Sequence, residues 1–290
     1  MILARDAKAD APESGRIVGA APAGAQDEQS AADAVREMFT SIAPRYDLLN
    51  HVLSFNIDRV WWRRAARTFR EVLSQPDARV LDLCCGTGDM TFALRRQVEK
   101  SSPRSSSQLF GADFSHAMLQ RALSKSAGAS AEHFSNDASS TNGSSTNGEP
   151  AMPRWIEADA LNLPFASDRF QLVTSAFGFR NLANYDRGLA EIHRVLAPGG
   201  EIGILDFGEP KGVIGKIYRI YFKQVLPRIG TIISGVRGPY AYLPASVLRF
   251  PSPEEMLQRM RDTGFADVSW TPYTFGIAGL YRGRKVVASG

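Results

Sequence analysis

Apolar positions along this chain follow two periods, and the switching between them predicts the elements. Val35, Met38, Phe39 and Ile42 recur at i, i+3, i+4 and i+7 behind Ser30 and Asp33, an acidic variant of the capping box. This predicts a helix from Ser30 that Pro44 stops. Ile57, Val60, Trp61, Ala65, Phe69 and Val72 predict a second helix over 56–73. Arg79 to Leu83 is a short apolar run ending in Cys84-Cys85-Gly86-Thr87-Gly88, which reads as strand, tight turn and then helix over 89–98. Leu109 to Ala112 closes on Asp113, with a helix expected from Ser115.

Further strands are expected at 154–157, 171–176 and 201–206, with a helix from Tyr185 to Leu196 halted by Pro198-Gly199-Gly200. The chain should finish with a helix over 253–263 and an antiparallel pair, 267–272 and 277–284. Strands alternating with helices predict a parallel sheet covered on both faces. Two polar stretches interrupt the pattern. One is the Ser-rich 101–108. The other, 124–150, carries Ser-Ser-Thr-Asn-Gly twice in succession from Ser139 to Gly148 and is expected to be a mobile surface loop. Residues 1–29 lack periodicity and are expected to be a disordered extension. The folded domain is expected over 30–290, with a helical cap (30–74) and a cover segment (211–250).

Composition narrows the function classes. The 290 residues are 44% hydrophobic and carry a net charge of +4, a mild excess that does not argue for nucleic-acid binding. The charge is unevenly placed. Residues 211–250 hold seven basic residues and no acidic one, so the remaining chain carries −3. Ile214, Ile217, Tyr218, Tyr221 and Val225 form an apolar stripe there. The segment reads either as a packed cover helix or as a membrane-surface element. The two cysteines, Cys84 and Cys85, are adjacent, which excludes a disulfide scaffold and a structural zinc site and suggests a reducing compartment. No metal site is expected: His116 and His193 have no ligand partners at metal spacing. No signal peptide, transit peptide or membrane-spanning run is seen, so a cytoplasmic protein is expected.

The chemistry concentrates at the strand ends. Gly86 and Gly88 let a ligand approach a turn where the first helical N–H groups are unpaired. Asp82, inside the strand, could fix this turn or hold a cationic ligand group. Asp113 ends the next strand, where a carboxylate can accept both hydroxyls of a ribose. Thr91 stands where the dinucleotide fingerprint Gly-x-Gly-x-x-Gly has its third glycine. S-adenosylmethionine carries no phosphate and needs carboxylates instead. Asp159 in Glu157-Ala158-Asp159-Ala160 could take its adenine amino group. The spacing alone leaves the nicotinamide and S-adenosylmethionine readings both open.

Longer motifs carry a resemblance. They are Ala43-Pro44-Arg45-Tyr46-Asp47-Leu48-Leu49-Asn50 with Ser54 and Trp61, then 80–89 through the glycine turn, then Ala158-Asp159-Ala160 with Leu163-Pro164-Phe165. Phe177-Gly178-Phe179-Arg180-Asn181, 194–200 and Val225-Leu226-Pro227-Arg228-Ile229-Gly230 complete the set. Together they resemble the UbiE/COQ5/MenG family of quinone-biosynthesis C-methyltransferases over 35–286. The chain departs from that pattern at Leu49 and Asp58 (usually Met and His), at Ala197, Asp206 and Gly208 (usually Lys, Glu and Ser), and at Ala176, where a serine often contacts the cofactor. The Cys-Cys-Gly turn is nearer the menaquinone branch than the ubiquinone branch.

The resemblance implies an α/β fold, the seven-stranded Rossmann-like sheet of class I S-adenosylmethionine-dependent methyltransferases, with one antiparallel strand. It implies S-adenosylmethionine as methyl donor, held by Thr87, Asp113, Asp159 and Ala160. The acceptor it implies is a prenylated hydroquinone, demethylmenaquinol first and the benzoquinol of ubiquinone biosynthesis second. Arg180 would stabilise the developing phenolate, with Asn181 and Tyr46 orienting the ring. Such a substrate places the enzyme against the inner face of the cytoplasmic membrane, with 211–250 as the expected contact; a homodimer is left open. A binding protein that holds the cofactor without consuming it is the alternative from another class.

Overall fold

The computed structural model describes residues 17–22, 24–47, 54, 56–102, 106–137, 152–210, 212, 215 and 239–287. Its sheet contains β1 (Arg79–Leu83), β2 (Gln108–Asp113), β3 (Arg154–Glu157), β4 (Phe170–Ala176), β5 (Leu196–Phe207), β6 (Phe265–Tyr273) and β7 (Ala278–Lys285). The seven strands lie in the order β3-β2-β1-β4-β5-β7-β6. All neighbours from β3 to β5 are parallel, and β7 runs antiparallel to both β5 and β6. The strand order reverses between β1 and β4. In such sheets the carboxyl ends of the strands leave a crevice at that point.

The central strands read as continuous apolar runs because helices bury both their faces. β1 is Arg-Val-Leu-Asp-Leu with its last four residues buried. Its Leu81 and Leu83 join a core with Phe179, Leu189, Ile192 and Ile204 on one face of the sheet. Val80 faces the other way, into a core with Trp61, Ala65, Phe69, Leu94 and Leu280. The helices supplying these faces are α1 (Glu28–Ile42), α2 (Asp58–Thr68), α3 (Arg70–Leu73), α4 (Asp89–Ser101), α5 (His116–Asp137), α6 (Tyr185–Val195), α7 (Pro239–Arg249) and α8 (Pro253–Asp262).

Several boundaries differ from the sequence reading, each for a local reason. α1 begins before Ser30, because Asp27 is the true N-cap: its carboxylate accepts the Ser30 N–H at 2.7 Å, and Ser30 Oγ accepts the Asp27 N–H at 3.0 Å. The expected helix over 56–73 is two helices with a break at Phe69, and two of its apolar residues, Ile57 and Val60, are exposed. Pro198-Gly199-Gly200 does not end α6. That helix stops at Val195, and the three residues form an irregular start to β5, with a register shift opposite 170–172.

Two segments expected to lack structure are in part ordered. Ala20 is buried, and the N–H groups of Gly19 and Ala20 donate to the carbonyls of Ala183 and Leu182 at 2.9 and 2.7 Å. Residues 17–22 and 24–29 therefore lie on the domain; 1–16 and 23 fall outside the described residues. The polar stretch 124–150 begins as the second half of α5, which runs to Asp137. Ser124 and Ser126 are held by hydroxyl bonds to the carbonyls of Gln120 and Ala122 at 2.9 and 3.1 Å. Both repeats lie outside the described residues, as does the apolar stripe of 211–250. Of that basic segment, the structure describes α7 with Phe250, together with residues 212 and 215. Among the described residues no helix is long and apolar enough to cross a membrane.

Candidate functional site

The turn after β1 is built for close approach. Cys84, Gly86 and Gly88 all take positive φ, at 53°, 55° and 89°. Gly88 starts α4, and a Cβ there would come within 2.6 Å of the Trp155 ring, so only glycine fits. A second tight contact closes the floor. A Cβ on Gly178 would lie 2.4 Å from the Cys84 Cβ, which brings the end of β4 against the end of β1. Phe177, just before it, is also held at positive φ (57°), a strained placement that its neighbours over-determine.

Asp82 and Asp113 anchor this turn differently. Asp82 is buried, and its two oxygens accept from the Thr91 and Thr174 hydroxyls at 2.6 and 2.9 Å. Burial raises its pKa to about 7, against these bonds. Its hydrogen bonds tie α4 and β4 to β1, in keeping with the turn-fixing reading. Asp113 accepts the Gly86 N–H at 2.8 Å on one oxygen and the Ser115 N–H at 2.9 Å on the other. Burial raises its pKa to about 6, opposed by those backbone bonds. Each carboxylate oxygen has a second acceptor position, and Asp113 lines a cavity of about 290 Å³ over the strand ends. Asp159 and Ala160 line it too; Asp159 also accepts the Leu161 N–H at 2.9 Å.

Thr87 lies in a charged knot that the sequence reading missed. Its hydroxyl donates to Asp47 at 2.5 Å and accepts from Lys125 at 2.8 Å. Lys125 also reaches the other Asp47 oxygen at 2.9 Å and Asp89 at 3.1 Å. One ammonium so joins the helical cap, the glycine turn and α5. Lys125 stood in a stretch read as linker, and only the continuation of α5 brings it here. We expect Lys125→Met to weaken cofactor binding severalfold, since the ammonium that holds Asp47, Asp89 and the Thr87 hydroxyl together would be gone. It should change unfolding stability by no more than about 1 kcal/mol, because the pairs are partly exposed; titration calorimetry and urea unfolding read the two effects.

The opposite wall is aromatic and cationic. Arg180 is buried, and its guanidinium donates to Asp206 at 3.0 Å and to the Phe177 carbonyl. The Arg180 N–H donates to the second Asp206 oxygen at 3.1 Å. The guanidinium carbon lies 5.1 Å from the Phe207 ring centroid. Arg180 Nε and Asn181 Oδ1 are buried without a hydrogen-bond partner among the described residues. Trp61, Phe177 and Phe207 complete this wall, with ring centroids 4.6 to 6.3 Å apart. The Trp61 ring N–H donates to Thr274 at 2.8 Å, which fixes the indole. Tyr46 lines the same cavity, edge-on to Phe39. All ten residues singled out from the sequence therefore line one cavity or the turn beneath it. Cys84 and Cys85 also lie there, but burial, reinforced by Asp113, holds both thiols well above their ordinary pKa, which disfavours a thiolate.

A family model described as the ubiE/COQ5 methyltransferase family matches residues 25–285. The chain belongs to this family. The demethylmenaquinone methyltransferase of Deinococcus radiodurans is 45% identical over 260 residues, covering 89% of this chain and 95% of that protein. The demethylmenaquinone methyltransferase of Thermus thermophilus is 42% identical over 249 residues, covering 86% and 100%. Among solved structures, a SAM-dependent methyltransferase of Thermotoga maritima matches with a TM-score of 0.54 at 17% identity, covering 87% of this chain and 99% of that one. That likeness shows the fold. This ubiE/COQ5 family member is a SAM-dependent methyltransferase of α/β fold, and the nicotinamide reading of its glycine turn is set aside. Its residues suit the donor: Asp113 offers open acceptor positions at the β2 end, and Gly86 and Gly88 keep side chains out of the approach. Among the described residues no group of three or more His, Cys, Asp or Glu is placed to hold a metal ion.

Proposed function

We propose that this enzyme methylates a ring carbon of demethylmenaquinol, giving menaquinol. The observation that carries the reading is the cavity's polarity. Carboxylates stand at its β2 and β3 ends, while a buried arginine with an unpartnered Nε stands in an aromatic wall at the ends of β4 and β5. The names of both bacterial relatives point to the same acceptor. S-adenosylmethionine, when bound, supplies a methyl group already activated on a sulfonium.

The protein's own part is alignment, exclusion of water and control of charge. Asp113 would hold the ribose hydroxyls, and Asp159 with Ala160 would frame the adenine. Thr87 would contact the donor while Asp47 and Lys125 fix its hydroxyl. The planar acceptor would lie against Trp61, Phe177 and Phe207. Arg180 would face the phenolic oxygen. As the methyl approaches the neighbouring ring carbon, that oxygen gives up its proton to solvent, and Arg180 favours the resulting negative charge. The methylated ring carbon then loses its own proton as aromaticity returns and the phenolic oxygen is reprotonated, so that menaquinol, S-adenosylhomocysteine and one net proton are released. Asn181 and Tyr46 would set the ring's orientation.

The deciding experiment incubates the protein with methyl-labelled S-adenosylmethionine and reduced demethylmenaquinone or its benzoquinol counterpart in detergent. Label on the naphthoquinol ring is expected. Label on the benzoquinol alone would move the enzyme to ubiquinone biosynthesis. Donor binding without label on either would leave a non-catalytic binding protein or another acceptor. The acceptor's prenyl tail keeps it in a bilayer, so the enzyme works as a peripheral protein on the inner face of the cytoplasmic membrane.

A further inference from the structure

The outer face of α2 combines charge and exposed apolar side chains where the cavity opens. At a helical period, Arg59, Arg63, Arg67, Val60, Arg64 and Ile57 share one contiguous outward sector, while Trp61, Trp62, Ala65 and Ala66 face inward and are buried. Arg70 on α3 is also exposed. None of these five arginines pairs with a carboxylate among the described residues; Arg64 stacks over Tyr273 at 4.2 Å, and Arg63 bonds the Arg59 carbonyl at 3.1 Å. The large apolar side chains of this face are left in water: Ile57 is 37% exposed and Val60 50%.

The same rim continues across the Trp61–Thr274 hydrogen bond to Phe275, which is 77% exposed. Phe275 is held at φ 57° at the tip of the turn between β6 and β7. Ile57, Thr274 and Ile277 line the cavity itself, so this rim is its mouth.

We propose that this face docks on an anionic lipid surface, with Val60 and Phe275 entering the acyl boundary and the arginines meeting headgroup phosphates. The inference rests on the quinol reading for its purpose, since an apolar tail would leave the cavity across this rim, but not for its evidence. Unpaired arginines around exposed apolar tips match an interface that is negative outside and hydrocarbon inside. It places the membrane contact on α2 and the β6–β7 turn, apart from residues 211–250.

The test is sedimentation of the full chain with vesicles, without donor or acceptor present. Vesicles of phosphatidylcholine with phosphatidylglycerol should bind the protein, phosphatidylcholine alone should bind it far less, and about 0.5 M salt should release it. R59Q/R63Q/R67Q should weaken binding about fivefold per arginine, roughly a hundredfold together. V60S/F275N should weaken it about tenfold or more with all charges kept. Both variants should keep wild-type turnover on a short-tailed, detergent-soluble acceptor, which also shows that they fold. Wild-type vesicle binding by both variants would overturn the proposal and move the contact elsewhere. So would binding to a soluble polyanion with none to vesicles. Absence of methyl transfer in the wild type would instead overturn the quinol reading and leave the vesicle result standing.

Discussion

Arg180→Ala is expected to abolish useful turnover while S-adenosylmethionine binding survives, provided that its partner is changed with it. Alone, the substitution strands Asp206, which is fully buried and whose pKa burial already raises against the pull of Arg180. Removing one member of a buried pair costs about 3–5 kcal/mol, so the single variant should unfold at markedly lower urea. Arg180→Ala with Asp206→Asn removes both charges and should recover most of that stability. If Arg180 stabilises the phenolate, the double variant still turns over about 10²–10³-fold more slowly, the loss typical of removing one preorganised donor to a developing oxyanion. Its donor affinity should stay near that of the wild type, because Arg180 sits on the wall away from Asp113. Recovery of turnover along with stability would reduce Arg180 to a structural ion pair. Equal loss of turnover and donor binding would place it on the donor instead.

Asp113→Asn should cost the largest share of donor affinity. The carboxylate holds the Gly86 and Ser115 N–H groups at 2.8 and 2.9 Å while keeping acceptor positions for a ribose. An amide in its place turns a donor toward one of those N–H groups and offers the ligand a weaker acceptor. Hydrogen bonds to charged groups contribute about 1.5–3 kcal/mol, so affinity should fall about 10- to 100-fold. The pH dependence has a definite sign. Burial raises the Asp113 pKa to about 6. Its ionised form accepts the ribose hydroxyls, so affinity is full above about 6 and falls as pH drops through it. The limit is about tenfold per pH unit. Asp82, at about 7, titrates nearby, but threonine hydroxyls occupy both its oxygens. Asp113→Asn should therefore lose the step near 6. Calorimetric titrations from pH 5 to 8 in both proteins separate these outcomes, and an unchanged step in the variant would assign it to another group.

The stretches legible in the sequence are those where local chemistry and tertiary need agree. β1 and β3 were placed to the residue, because an apolar run closed by a turn or an acidic residue has one good solution in a parallel sheet. The strand, tight turn and helix around Gly86 and Gly88 were equally plain, and the structure has β1, the turn and α4 in that order. The antiparallel finish followed from two short strands after a helix, and β6 and β7 pair as expected.

Other features depended on partners distant in the chain. Ile57 and Val60 fit the helical stripe of α2, yet the core reaches only as far as Trp61, so period alone could not tell buried from exposed. Serine-rich composition suggested a loop over 124–150, where the helix instead continues to Asp137, with the Ser124 and Ser126 hydroxyls bonded back to the carbonyls of Gln120 and Ala122. Lys125 gains its meaning from Asp47 and Thr87, some 78 and 38 positions away in the chain. Arg180 and Asp206 become a unit only when the ends of β4 and β5 lie side by side. The sequence by itself determined the sheet and the glycine turn after β1, because these rest on periodicity and backbone sterics. The tertiary structure alone decided which charges are paired, which carboxyls are pushed toward neutrality and which apolar face stays in water. Burial and long-range distance set those properties, and neither is encoded in any local window.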